Sequence, residues 1–239
     1  MPFSDPLFWA LPALAFAATT AVALGHLDYR GAVAGYLASL SVFLGGGLPI
    51  LILLGVFFVT GSFATALNTR KKAALGVAQE NKGRRSVANV LANGGVAAVI
   101  GLVSWGWPEQ SHCLQYMMAA SLASATSDTL SSEMGNIYGS SYWRILSFQP
   151  GVRGEDGVIS PEGTAFGLLG SVIIAIVFAL MSGWGAMVFG IGAAGFMGNL
   201  VDSILGGSLQ QRGYLDNHGV NLVSTLSAAA FMGGYCLYL

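Results

Sequence analysis

Asp128 and Asp202 stand in stretches otherwise built of apolar and small residues, SLASATSDTLSSEMG and GFMGNLVDSILGG. A carboxylate placed in the centre of a bilayer helix costs roughly 2.5–3.5 kcal/mol unless it is hydrated, paired or bound to a cation, so two of them mark a candidate site. The pair suits magnesium, a hard cation that takes one or two protein carboxylates and leaves its other positions to water and substrate phosphates. Glu133, shortly after Asp128, is either a further ligand or a helix-end charge. Positive charge gathers in KGRRSVANVLANGG, where Lys82, Arg84 and Arg85 run into a helix opening at Ser86. Asn89 and Asn93 share one face of that helix at i, i+4. Cations beside a helix N-terminus make a seat for phosphate, although topology and contact with anionic lipid would also explain a juxtamembrane cluster. The loop GEDGVISPEGT, from Gly154 to Thr164, combines turn glycines with hydroxyls and can offer backbone N–H groups to phosphate; a plain surface turn is the competing reading. It lacks the GxxxxGK followed by Ser or Thr of a Walker A loop.

The chain that must position these groups has 239 residues, of which 54% are hydrophobic and 9% charged, with a mean hydropathy of +0.66. That is too apolar for a soluble domain of this length. The apolar runs predict helices at about 8–24, 31–45, 48–66, 86–105, 113–131, 163–181, 184–206 and 219–238, each near the roughly 20 residues a span needs. Gly45-Gly46-Gly47 leaves only a short hairpin between the second and third, with Pro49 at once beyond, so seven spans with a re-entrant piece is the alternative. No basic region precedes the first apolar run, so that span is expected to be retained rather than cleaved. With eight helices, every Lys and Arg falls in connections on one side of the membrane. The positive-inside rule makes that side cytoplasmic and places both termini opposite. Cys113 and Cys236 have no metal-type spacing and read as small apolar fillers, and His26, His112 and His218 are scattered. Trp105, Trp107, Trp143 and Trp184 sit near predicted helix ends, as interfacial anchors do.

Three segments echo one another: RGAVAGYL from Arg30, NGGVAAVI from Asn93 and EGTAFGLL from Glu162, aligning Gly31 with Gly94 and Gly163. Each is followed by a second related segment, GSFATALN, SATSDTLS and GNLVDSIL, which aligns Thr65 with Asp128 and Asp202. The expected fold is therefore all-α, a polytopic transmembrane bundle of about 7–8 spans with a threefold helix-hairpin repeat. It forms one integral membrane domain, 1–239, with candidate repeats at 30–72, 86–135 and 162–212 and cytoplasmic connections at 67–85 and 132–162. A repeat of this kind would bring the aligned polar positions together on the basic side.

Taken together, RKKAALGVAQENKGRRSVANVLANGG, SLASATSDTLSSEMG, GEDGVISPEGTAFGLLGS and GFMGNLVDSILGGSLQ resemble the plant phytyl-phosphate kinase family, which also takes in the vertebrate transmembrane protein 19. The resemblance covers roughly residues 30–239. It implies phosphorylation of an isoprenoid monophosphate to the diphosphate, with a nucleoside triphosphate, typically CTP, as donor. Matching positions are Lys82, Gly83, Arg84, Asn89, Asn93, Gly94, Asp128, Glu133, Asp156, Gly157, Ser160, Gly163, Thr164, Asp202 and Ser203. Glu155 departs from the small hydroxyl residue of relatives, which leaves the backbone as the phosphate donor there. The resulting expectation assigns catalysis to Asp128, Asp202, Lys82 and Arg84, and Mg2+ to Asp128, Asp202 and Glu133. Substrate phosphates fall to Arg85, Asn89, Asn93, Gly94, Asp156, Gly157, Ser160, Gly163, Thr164 and Ser203. The partners are the two phosphorylated substrates and the lipid bilayer, with no nucleic acid. A cytidylyltransferase would use the same groups, and a transporter of anions or lipid phosphates would need polar groups near the bilayer middle.

Overall fold

A helix in lipid satisfies its own backbone except at its ends, where the first N–H and last C=O groups need other partners. The computed structural model describes residues 6–77 and 83–238. Its helices are α1 (Pro6–Ala23), α2 (Tyr29–Ala66), α3 (Thr69–Ala74), α4 (Val87–Gly106), α5 (Ser111–Tyr138), α6 (Pro161–Ser182), α7 (Ala186–Leu205) and α8 (Asn217–Tyr238). Four starts at the basic end carry side-chain caps, as Asp, Ser or Thr before a helix predicts, with Asp216 accepting from the Gly219 N–H at 2.7 Å before α8. Asp28 accepts from the Gly31 N–H at 2.6 Å, Ser86 from Asn89 at 3.4 Å and Ser160 from Gly163 at 3.0 Å.

These caps also test the sequence echo. Gly31 and Gly163 both donate to their caps, whereas Gly94 lies well inside α4, beyond the Ser86–Asn89 bond. The three aligned glycines therefore do not hold equivalent places, and the threefold repeat is not established by the fold.

Among the described residues, six helices are long and apolar enough to cross a membrane. One of them, α2, has 38 residues and is broken at Gly47 (φ 65°, ψ −165°), with Pro49 just beyond. A left-handed backbone at this point is open to glycine and strained for other residues. The two arms turn back on each other. Gly31 from the first arm and Gly61 from the second both abut Arg85 at the start of α4, while Ser41 abuts Gly101 near its far end. The expected short hairpin is thus present, and each arm spans roughly 27 Å at 1.5 Å per residue.

Helix α5 is long enough to cross but too polar to be counted by composition alone. It tolerates that composition because it is the centre of the bundle, packed against α2, α4, α6, α7 and α8. With α2 taken as two arms, the described residues form eight membrane-length segments. It is an all-α polytopic membrane bundle.

Close approach to α5 depends on missing side chains. A Cβ on Gly163 would lie 2.8 Å from the Ser131 carbonyl oxygen, one on Gly170 2.9 Å from that of Thr126, and one on Gly195 3.2 Å from the Ser124 nitrogen. Small residues let backbones meet in this way where lipid supplies no hydrophobic drive between helices. Away from the basic end the core is apolar and continuous, with Val42, Ile50, Leu53, Met118, Leu122, Ile174 and Ile191 fully buried. Cys236 packs at its edge, and both cysteines are free. Phe16, Phe63, Leu180 and Phe189 are exposed on the outside of the bundle, where lipid covers them. Trp105, Trp107 and Trp184 are exposed near the helix ends opposite the basic one.

Gly101→Leu is expected to force α2 from α4, because its Cβ would stand 2.9 Å from the Ser41 carbonyl carbon. The cost should reach about 1–3 kcal/mol or more, read as a lower thermal midpoint in detergent. Gly55→Ala, with no heavy atom within 4 Å of the new Cβ, should leave the midpoint unchanged or raise it.

Candidate functional site

The carboxyl groups of Asp128 on α5 and Asp202 on α7 touch one another. Both line a polar cavity of about 280 Å³ at the basic end of the bundle. The α7 helix carries Asn199 and Ser203 into the same space, and α4 carries Asn89 and Asn93. From α8, Asn221 donates through its amide to Asp202 Oδ2 at 3.0 Å and to the Asn217 carbonyl at 3.1 Å, once that amide is oriented to satisfy both. Thr65 lines the cavity as well, so the three positions aligned in the sequence echo do face one space.

Beyond Asp202, α7 widens into a π-turn over Gly206–Gln210. Insertions of this kind recur at functional sites because they re-aim the side chains around them. Here the turn receives the loop between α5 and α6. Gly157 lies so close to Gly206 and Gly207 that no side chain could be added to it, and it sits at φ 73°. The loop is stiffened by a short antiparallel ribbon that pairs Trp143 with Ile159 and Arg144 with Val158. Gln211 Nε2 donates to the Asp156 carbonyl at 2.8 Å. Asp156, Gly157, Ser160 and Gly163 consequently form one wall of the cavity.

The fate of the basic residues decides what remains for a ligand. Lys71 Nζ donates to the Ile137 carbonyl at 2.6 Å, closing the C-terminal end of α5. Lys72 is buried, 2.7 Å from Glu133 Oε2, and also donates to the Thr65 carbonyl at 2.5 Å and the Ala64 carbonyl at 3.1 Å. Arg153 donates to the Asn136 carbonyl at 2.8 Å and the Gly139 carbonyl at 2.9 Å. Arg144 pairs with Glu155 at 3.1 Å. These four cations hold the protein together.

Arg85 is different. It is 8% exposed, lines the cavity, and lays its guanidinium over Phe57 at 4.7 Å and Phe58 at 5.6 Å. Burial lowers its pKa to about 10, with the charge of Glu133 opposing the drop, so it is a cation at neutral pH.

Several expected site residues are placed elsewhere. Arg84 is exposed and lies beside Gly25, outside the cavity, because adjacent residues in the extended segment before α4 point in opposite directions. Gly94 lines a separate apolar groove. Thr164 also lies outside the polar cavity, its hydroxyl bonded to the Ser160 carbonyl at 2.9 Å. Ser160 and Gly163 are joined to each other as cap and first turn of α6. Glu133 reaches the cavity but is held by Lys72 and by Thr65 Oγ1 at 3.0 Å, and no cluster of three or more His, Cys, Asp or Glu forms among the described residues. Lys82 lies outside the described residues.

The sequence reading missed Asn199, Asn217 and Asn221. The signal was present: Asn199 precedes Asp202 by one helical turn, and Asn217 and Asn221 repeat the i, i+4 asparagine pattern recognised in α4.

A helical membrane bundle with a one-ended cavity of paired carboxylates, amides and a buried arginine defines a class of integral membrane protein with a polar ligand site. More particularly, residues 12–229 match the family described as integral membrane protein DUF92, and the chain belongs to it. It is 32% identical over 203 residues to an uncharacterized membrane protein of Methanocaldococcus jannaschii, covering 84% of this chain and 82% of that one. It is 33% identical over 189 residues to an uncharacterized membrane protein of Synechocystis sp., covering 77% and 72%. A third relative is protein VTE6, chloroplastic, of Arabidopsis thaliana, 31% identical over 205 residues, covering 83% of this chain and 62% of the relative. No solved structure matches the chain.

Two outcomes test the electrostatic account. Lys72→Met removes the buried cation from Glu133 Oε2 and the donor to the Thr65 and Ala64 carbonyls and should lower the thermal midpoint, while the double variant Lys72→Met with Glu133→Leu should recover part of that loss. Partial burial, with Glu155 adding to it, raises the pKa of Asp156. The folded protein then holds that proton more tightly than the unfolded chain, so the carboxylate's penalty appears as pH rises through the shifted value. Asp156→Asn should therefore be slightly more stable than the parent at neutral pH, and their midpoints should converge as pH falls below about 3.9.

Proposed function

We propose that this protein is an isoprenoid monophosphate kinase, moving the terminal phosphoryl group of a nucleoside triphosphate, with CTP the expected donor, onto a lipid monophosphate. The observation that carries the reading is that the polar cavity and an apolar groove meet at one residue, Arg85. A phosphate with a long apolar tail is the ligand that such a junction accommodates. The resemblance to the plant phytyl-phosphate kinases supports the same reading, as does the similarity to a chloroplastic plant protein. By the placement of basic residues, the reaction occurs at the cytoplasmic face.

Two carboxylates in contact repel unless a proton or cation lies between them, and both here are hard oxygen donors beside a cavity rich in amides. That donor set fits Mg2+, with Asp128 and Asp202 as its protein ligands and Glu133 committed to Lys72. When bound, the ion would neutralise charge on the nucleotide phosphates.

An acceptor phosphate oxygen attacks the γ-phosphorus. A new P–O bond forms, the bond from the γ-phosphorus to its bridging oxygen breaks, and the nucleoside diphosphate leaves with that electron pair. The attacking oxygen is already ionised at neutral pH, so no general base is needed. The protein's work is positioning and electrostatic stabilisation. Arg85 offsets the negative charge of the phosphates, while Asn89, Asn93, Asn199 and Asn221 present hydrogen-bonding groups without adding negative charge. Transport is disfavoured by the packing, since the polar residues end where the continuous apolar core begins.

The test uses purified protein in detergent with magnesium, each nucleoside triphosphate labelled at the γ-position, and phytyl, farnesyl or geranylgeranyl monophosphate. Label should appear in a lipid diphosphate, and Asp128→Asn or Asp202→Asn should each lower turnover by at least a hundredfold (about 2.7 kcal/mol). Label released only in pyrophosphate would instead identify a cytidylyltransferase, and normal turnover in both variants would remove the proposed metal ligands.

A further inference from the structure

The groove that meets the polar cavity is itself informative. It has a volume of about 280 Å³ and runs between α1 and the two arms of α2, with Val90 and Gly94 of α4 at its floor. Among the described residues that line either space, only Arg85 lines both. The buried guanidinium donates no hydrogen bond among the described residues and rests on the faces of Phe57 and Phe58, which also line the groove. A planar cation that lines both an apolar channel and a polar chamber suits the phosphate of a ligand that occupies both.

Three glycines of the groove show that its space is not incidental to helix packing. A Cβ on Gly55 would meet nothing within 4 Å, one on Gly35 only Leu27 Cδ1 at 3.8 Å, and one on Gly94 only Leu54 Cδ1 at 3.9 Å. Gly101 and Gly163, by contrast, are pressed against neighbouring backbone. Packing demands glycine at those two positions; at Gly35, Gly55 and Gly94 the missing side chain leaves room for something else. α1 packs chiefly along α2, and its exposed Phe16 and Leu11 face lipid, so the groove borders the bilayer.

We infer that this groove seats the isoprenoid chain of the phosphate acceptor and that Arg85, at its inner end, binds the acceptor's phosphate. The assignment rests on the kinase reading and divides its site: the acceptor enters from the α1–α2 side through Arg85, and the donor nucleotide occupies the opposite wall, formed by Asp156, Gly157 and the π-turn of α7. The volume of about 280 Å³ lies just below the range for ligand pockets, roughly 300–1,000 Å³. It therefore holds the head-proximal isoprene units of a long chain and leaves the remainder in the bilayer.

Binding and turnover test this separately. Phytyl monophosphate binding, measured without nucleotide as a shift in thermal midpoint in detergent across a concentration series, should weaken at least tenfold in Gly55→Phe and in Gly35→Phe. Both variants should keep the parent's unliganded midpoint. Arg85→Gln should weaken phytyl monophosphate binding by a similar factor while leaving phytol, which has no phosphate, unaffected. In turnover, Gly55→Phe should raise KM for phytyl monophosphate with kcat little changed, and should raise it less for dimethylallyl monophosphate, whose single isoprene unit fills only the part of the groove next to Arg85. Parent-like phytyl monophosphate binding in both glycine variants would overturn the groove assignment and leave the kinase reading standing. Groove-dependent binding without any diphosphate product would remove the kinase reading and keep the lipid-phosphate site.

Discussion

Everything polar in this protein depends on keeping α5 at the centre of the bundle. A helix with the sequence SLASATSDTLSS cannot face hydrocarbon without exposing hydroxyls and a carboxylate to a medium that bonds to neither. The bundle solves this by surrounding α5 with α2, α4, α6, α7 and α8. Three of its hydroxyls are then absorbed, Thr126 donating to Leu122 at 2.8 Å, Thr129 to Ala125 at 2.9 Å and Ser127 across to Gly167 at 2.7 Å, while Ser121 Oγ and Ser124 Oγ are buried without a hydrogen-bond partner among the described residues. Neighbouring glycines make the approach close enough for such bonds. Asp128 is turned to Asp202 at the cavity.

The basic end shows how the same residue type serves two purposes. A juxtamembrane cluster reads as topology or as ligand binding with equal ease. Once Lys71 closes α5, Lys72 compensates Glu133, Arg144 holds Glu155 and Arg153 ties the loop to Asn136 and Gly139, that cluster is largely accounted for as structure. Arg85 stands apart through its burial without a hydrogen-bonded partner among the described residues. Its placement is fixed by its own backbone, whose N–H donates to the His26 carbonyl at 2.9 Å and whose carbonyl accepts from Asp28 at 3.2 Å. Gly61 then leaves the room its guanidinium needs.

The consequence is a division of the molecule along the membrane normal. The half away from the basic end is a close-packed apolar core, and the basic half holds a polar chamber with an apolar channel at its side. On the proposed kinase reading, a site of that shape would bring a water-soluble reactant and a membrane-borne one to the same point without admitting water to the core.

The sequence by itself determined the membrane bundle, the hairpin at Gly47, the capped helix starts and the candidacy of Asp128 and Asp202. Each rests on a local signal: hydrophobic length, a glycine ahead of a proline, a cap residue, or a charge in an apolar run. Tertiary structure alone decided which neighbours line the cavity. Arg84 and Arg85 are chemically almost identical in sequence, yet the turn of one residue in an extended segment sends one to the surface and the other to the cavity. Glu133, by sequence either a further ligand or a helix-end charge, is met by Lys72 from a helix distant in sequence. Gly94, aligned with Gly31 and Gly163 by its surroundings, lines a groove rather than capping a helix. Side-chain direction and partner choice arise from contacts between segments far apart in the chain, and no local pattern records them.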